Sequence, residues 1–354
     1  EVQICMKASI PASVGMHQAL RKPLGSQVWT KYIPFLNTDT CFLDTILTNT
    51  VMEYCVRKDT NSFGFPNFGY IAVGNKVEAT FNRGTTLVVL DTTYESQIND
   101  SFQLYLKNLI GDGWQVEVLR VDSGTSVPDV KSLIVAAYNS NPMNVKSVVL
   151  VGKIKVPYSG DFNSTTQPPP DGHYPDHNGA WAADVYYGDI QSASWTDGVT
   201  NAVATRGDNQ NYPGDGKFDQ SFIPTPVELS VGRIDMSDLT IFTLTEPQLL
   251  NRYFAKNNAY RMCENTFIDG AFLHDNFGMA TPEAFGGNMC YRNMAPFYGF
   301  NSVNHTNGAY LSTLNSNYYK WSFGYGAGSY ISMSGLGFSS NFASATQSIR
   351  SVFN

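Results

Sequence analysis

Charge is scarce in this chain. Asp, Glu, Lys and Arg make up 15% of its 354 residues, and the net charge is −7. No basic cluster interrupts that balance, which excludes nucleic-acid binding, because Lys and Arg must neutralise phosphates. No apolar run approaches the roughly 18 residues that a membrane helix requires, so no membrane span is expected. The five cysteines (Cys5, Cys41, Cys55, Cys263, Cys290) match no metal spacing such as C-x-x-C. No strand end in the second half carries a cysteine or a G-x-S-x-G elbow. No internal repeat recurs at a fixed period.

What is present is a normal apolar content of 42%, a high aromatic content of 13%, and abundant Asn, Thr, Ser and Gly. A polar but weakly charged surface of this kind is expected of a secreted, extracellular protein. The chain opens at Glu1 and not at Met, as a processed protein or a fragment would. In an exported protein Cys41 with Cys55, and Cys263 with Cys290, are candidate disulfides. Buried free thiols are the alternative, and an odd count leaves at least one cysteine unpaired.

A length of 354 residues allows one large core or two modest ones. Residues 1–84 show no clean periodicity and read as an irregular or β-rich segment. From residue 85 the pattern changes. The run "TTLVVLD" (85–91) is a buried parallel strand by its unbroken apolarity. A helix follows with Ile98, Phe102, Tyr105, Leu106, Leu109 and Ile110 on one face. Strands at 114–121 and 145–152 flank a helix at 127–140 opened by proline. Residues 153–225, rich in Pro, Gly, Asp and Asn, interrupt the alternation as a long loop of the kind that is functional or held by an ion. Alternation resumes with strands at 227–234, 267–275, 297–303 and 328–335, and helices at 246–263, near 281–295 and at 342–353. The expected class is α/β, a mostly parallel sheet with helices on both faces, over 85–354.

Ligands of such sheets bind beyond the carboxyl ends of the strands. Those ends offer Asp91, Gly152, Arg233, His274 with Asp275, and Ser334 with Gly335. His274 is the titratable base among them, although a hydrogen-bonded structural histidine is its plainer reading. In the long loop His173 and His177, four apart with Asp176 between, are candidate zinc ligands. Further on, Asp208, Asn211, Asp215 and Asp219 offer hard oxygens for a structural calcium ion, with Gly214 and Gly216 allowing a tight turn. Pro213 falls where an EF-hand ligand belongs and no Glu closes the loop, so an ion-free set of Asx turns is the alternative.

Taken in order, these pieces resemble the gingipain family of cysteine peptidases, which has a caspase-like catalytic domain. "SVVLVGKIKVPYSG", then "ADVYYGDI" and "PVELSVGRI", then "EPQLLNRYFAKNNAYR" are similar to that family's successive elements, and "GAGSYISMSGLGFSS" resembles the strand delivering its catalytic histidine. The family carries this histidine as Gly-His-Gly, and the resemblance places Leu336 of Gly335-Leu336-Gly337 there. Leucine accepts no thiol proton, so the resemblance implies a lost general base. The family's nucleophilic cysteine falls on the following strand, expected beyond Asn354. The implied protein is a secreted pseudo-peptidase serving as a binding or structural module, with a protein partner or by self-assembly into an oligomer. The alternative is an active extracellular cysteine peptidase whose nucleophile lies past Asn354 and whose base is His274.

Overall fold

The computed structural model describes residues 2–5, 17–35, 41–58, 67–77, 81–163, 177–198, 203–264, 268–275, 285–306, 310–316, 319–329, 332–333 and 337–344. The chain forms two compact units, Glu1–Phe81 and Asn82–Asn354.

The N-terminal unit is built from strands. β1 (Val2–Cys5) pairs antiparallel with β4 (Cys41–Asp44). A second antiparallel sheet runs in the order β3-β2-β5-β6, with β2 at His17–Pro23, β3 at Lys31–Phe35, β5 at Thr50–Lys58 and β6 at Asn67–Asn75. Ile4, Ala19, Phe42, Ile46, Tyr54 and Val56 form its core. Cys5 stands opposite Cys41 in the register, and the two form a disulfide. This corrects the expected Cys41–Cys55 pairing, because Cys55 is a buried free thiol. Cys263 is also free, and exposed, so its expected bond to Cys290 is not made.

The C-terminal unit opens with β7 (Thr85–Asp91), every residue of which is buried. It runs parallel to β8 (Gln115–Val121) and β9 (Val145–Val151), and β12 (Ser230–Ile234) completes a sheet in the order β12-β9-β7-β8. Both faces are covered, which is why β7 has no polar face. On one face lie α1 (Glu95–Gly111) and α4 (Glu246–Arg261), whose Ile98, Phe102, Leu250 and Phe254 pack against Val88, Leu90, Val151 and Ile234. On the other lies α2 (Val127–Ser140), where Val130 and Ile134 meet Leu87, Val89, Val148 and Leu150. Ser126 caps α2, its hydroxyl accepting from the Asp129 N–H at 3.2 Å. The α/β class, parallel sheet and two-sided helical cover are therefore as expected. Ile110 is not on the buried stripe of α1, being 57% exposed. Twelve residues after Ile98, at about 100° per residue, it has rotated off that face.

The long loop contributes secondary structure of its own. β10 (Tyr158–Phe162) pairs antiparallel with β11 (Gly179–Ala182), and the single turn α3 (Val185–Gly188) buries Tyr186 and Tyr187 on the α2 side of the sheet.

A second parallel sheet follows, in the order β14-β13-β15, with β13 at Ile268–Asp275 in the centre. α5 (Phe285–Tyr298) connects it to β14 (Val303–Thr306), and α6 (Tyr310–Ser316) leads to β15 (Tyr319–Tyr325). The strand expected at 297–303 begins instead at Val303, because Gly299, at φ +90°, ends the helix and a short 3-10 turn follows. The strand expected at 328–335 is a small antiparallel meander, β16 (Gly328–Ser329), β17 (Ser332–Met333) and β18 (Gly337–Phe338), before α7 (Ser339–Ser344). The parallel position is taken by β15, which sequence periodicity missed.

Candidate functional site

At the carboxyl end of the first sheet the polar residues hold the chain in place. Asp91 ends β7 and is buried. Its Oδ1 accepts from the N–H and hydroxyl of Thr93, at 2.9 and 2.6 Å, and Oδ2 accepts from the Lys153 N–H at 3.2 Å. Gly152, at φ +86°, fits beside it because a Cβ there would stand 2.8 Å from the Asp91 Cβ. Every site-facing oxygen of Asp91 is thus accepting from the backbone or a neighbouring hydroxyl, as in a helix cap.

Arg233, at the end of β12, faces Asp184 in a two-pronged pair. Nε to Oδ2 is 2.7 Å and Nη2 to Oδ1 is 2.8 Å, and Nη1 donates to the Ile154 carbonyl at 2.5 Å. Burial opposes its charge, but the Asp184 carboxylate outweighs burial and raises the guanidinium pKa. The pair joins the strand end to the base of α3.

Lys131 forms a second anchor. It is 2% exposed on α2 and donates Nζ to the carbonyls of Tyr186 and Asp189. Burial brings its pKa down to about 8, against the pull of Asp189 and Glu228. The fully buried Asp189 carboxylate accepts from Trp195 Nε1 at 3.0 Å and from Thr225 Oγ1 at 2.6 Å. These contacts tie α3 and the residues after it to α2. Sequence reading missed Lys131, since a lysine on an amphipathic helix looks like a solvated one.

In the second sheet His274 is fully buried on the central strand, its ring 5.6 Å from that of Tyr310. It stands level with Thr306 of β14 and Gly324 of β15. Asp275 ends β13, level with Tyr325, and its side chain lies outside the described residues. Beyond Tyr325 the sequence reads Gly326-Ala327-Gly328, a Gly-x-Gly directly past the carboxyl end of a parallel strand. Leu336 lies outside the described residues.

The candidate metal ligands have separate partners. Asn211 is buried and spends Nδ2 on the carbonyls of Gly160 and Phe218, at 2.8 and 2.9 Å. Asp215 accepts from the N–H groups of Tyr212 and Lys217 within its own turn, at 3.1 and 2.9 Å. The buried Asp219 accepts from Thr196 Oγ1 and the Gly198 N–H, each at 2.9 Å. Asp208 is exposed on a 3-10 turn. The glycines of the turn serve Asp197, whose carboxylate accepts from the Gly214 and Gly216 N–H groups at 2.7 and 2.8 Å. Among the described residues no three His, Cys, Asp or Glu side chains gather to hold a metal ion. His177 packs edge-on against Trp181 at 5.6 Å, while His173 lies outside the described residues. Among the described residues no helix is long and apolar enough to cross a membrane.

No protein-family profile matches the sequence. No curated protein matches it either. Two solved structures are similar in fold. One, described as the structure of a protease, is 16% identical with a TM-score of 0.46, over 76% of this chain and 50% of its own. The other is the Arg-specific cysteine proteinase gingipain R, 14% identical with a TM-score of 0.45, over 77% of this chain and 54% of its own. The chain spans about half the length of the solved structures it matches.

Proposed function

We propose that the chain is a catalytically silent member of the gingipain type, an extracellular binding or structural module. The observation that carries this reading is the residue past β15. The resemblance puts Leu336 where the family carries its histidine in Gly-His-Gly, and we read the Gly326-Ala327-Gly328 that follows the parallel strand β15 as a second place for that motif, likewise without histidine. Alanine accepts no proton, as leucine at 336 would not, so a thiol placed nearby gains no general base from this loop. His274 is a poor substitute, since a general base must reach the proton it abstracts and this imidazole has no exposed surface. That weighs against the alternative of an active peptidase with its nucleophile beyond Asn354. The Cys5–Cys41 disulfide supports an oxidising, extracellular setting.

A covalent thiol-directed peptidase probe tests the proposal, applied to protein carrying Cys263→Ser so that the exposed free thiol does not react. The expected result is no labelling that depends on the folded state. Labelling that heat denaturation abolishes overturns the reading in favour of the active enzyme.

A further inference from the structure

The N-terminal sheet has two unlike faces. Tyr54 and Val56 of β5 point into the core, so Glu53, Cys55 and Arg57 lie on the other face. There the register sets Lys22, Glu53 and Ala72 in one cross-strand row, and Leu20, Cys55 and Tyr70 in the next. Lys22 Nζ pairs with Glu53 Oε2 at 2.6 Å and lies 5.1 Å from the centre of the Trp29 ring. Trp29 is 6.4 Å from Tyr70, and Tyr70 is 6.5 Å from Phe68. Lys22, Trp29, Glu53 and Tyr70 line a cleft of about 320 Å³, with Tyr70, Ile71 and Ala72 of β6 forming one side. That is the lower end of the size range of small-molecule sites.

Neither of the ordinary uses of a sheet face accounts for this one. A packed face would carry no ion pair at its centre, and a solvated face would not keep Tyr70 at 70% exposure beside Phe68 at 52%. Rings in a polar cleft suit a ligand that is apolar on one side and polar around its rim. The Lys22–Glu53 pair is neutral overall. An anion would meet Glu53 and a cation would meet Lys22, whereas a hydroxyl can accept from the ammonium and another can donate to the carboxylate. A pyranose ring has this character, with C–H groups on its faces and uncharged hydroxyls at its edge.

We propose that the cleft bounded by Trp29, Tyr70, Lys22 and Glu53 is a binding site for a neutral saccharide unit. A sugar face lies against Trp29 or Tyr70, and the edge hydroxyls take hydrogen bonds from Lys22 and give them to Glu53. The assignment is independent of the peptidase-like unit and of the function proposed above.

The test uses the whole chain and four soluble neutral probes, maltohexaose, cellohexaose, chitohexaose and mannohexaose, titrated by calorimetry and by saturation-transfer NMR. At least one is expected to bind, with Trp29→Ala and Tyr70→Ala each weakening it by about tenfold or more. Glu53→Gln is expected to weaken it less, with circular dichroism and thermal unfolding unchanged. Should Trp29→Ala fail to fold, Tyr70→Ala carries the test, since its ring is mostly in solvent. The proposal is overturned if none of the four binds at millimolar concentration, or if binding is undiminished in both ring variants. It is equally overturned if a proline-rich or amphipathic peptide saturates the cleft while all four sugars fail to bind.

Discussion

Asp44 gathers three donors at the centre of the N-terminal unit. Arg21 Nη1 and Lys31 Nζ each approach to 2.6 Å and the Tyr54 hydroxyl to 2.8 Å. Burial pushes its pKa up, but hydrogen bonds from Lys31, Tyr54 and Arg21 outweigh burial and bring it from 3.8 to about 2. A carboxylate with a depressed folded pKa stabilises the fold above its unfolded pKa. That contribution is lost as pH falls from 3.8 through about 2. Asp44→Asn should lose about 1–3 kcal/mol at neutral pH, because buried donors are left without a charged acceptor. It should also lack the share of acid-dependent loss that Asp44 is expected to contribute to the parent chain. Urea unfolding of both proteins at neutral and acid pH checks this, and parallel pH profiles for the two would refute it. Burial, joined by the same carboxylate, raises the Tyr54 phenol to about 12, so Tyr54 is a donor at neutral pH.

At the scale of elements, the ordering of the long insertion depends on close backbone approach. Gly179, the first residue of β11, has φ +88°, and a Cβ there would stand 1.9 Å from the Asn209 carbonyl oxygen. Asn209 in turn donates Nδ2 to the Ala180 carbonyl at 2.6 Å, so the contact cannot open without losing that bond. Gly179→Ala should therefore destabilise the C-terminal unit by about 3 kcal/mol, from backbone strain and overpacking together. A melting temperature equal to the parent's would show that the insertion yields instead. The first parallel sheet was legible because covered strands and amphipathic helices write their pattern in adjacent residues. β7, α2 and β9 fall at or within a residue of where that pattern puts them. β15 was not legible: "YKWSFGY" mixes exposed and half-buried residues without alternation, and the glycines after it drew attention downstream. Residues 1–84 read as irregular or β-rich, but the individual strands of the N-terminal sheet were hidden for a related reason. Cys55 is buried on the face opposite Tyr54, and β6 is apolar on both faces, so neither strand alternates. The disulfide was unreadable because it joins strands adjacent in the sheet but 36 residues apart in sequence.

For the whole molecule, a candidate edge for pairing with another chain is β6, which ends its sheet among the described strands. Its nine residues, "NFGYIAVGN", include no charge and no proline, and Ile71 is 51% exposed. Edge strands usually carry one of those defences against pairing with a second copy. If self-assembly is this chain's mode of action, two copies of β6 paired antiparallel give a twofold dimer whose sheet is continuous. Sedimentation velocity over a wide concentration range is expected to show the mass doubling as protein is added. A monomer at every concentration would remove this route, leaving a different protein as the partner.

The Cys5–Cys41 disulfide has a consequence outside stability. A protein released among peptidases is exposed to cleavage, and a cut anywhere between these two cysteines opens the backbone without separating the pieces. The amino-terminal fragment stays covalently attached through Cys5, with β1 still beside β4. Under non-reducing conditions such a nicked chain migrates with its full mass, and the break becomes visible only after reduction.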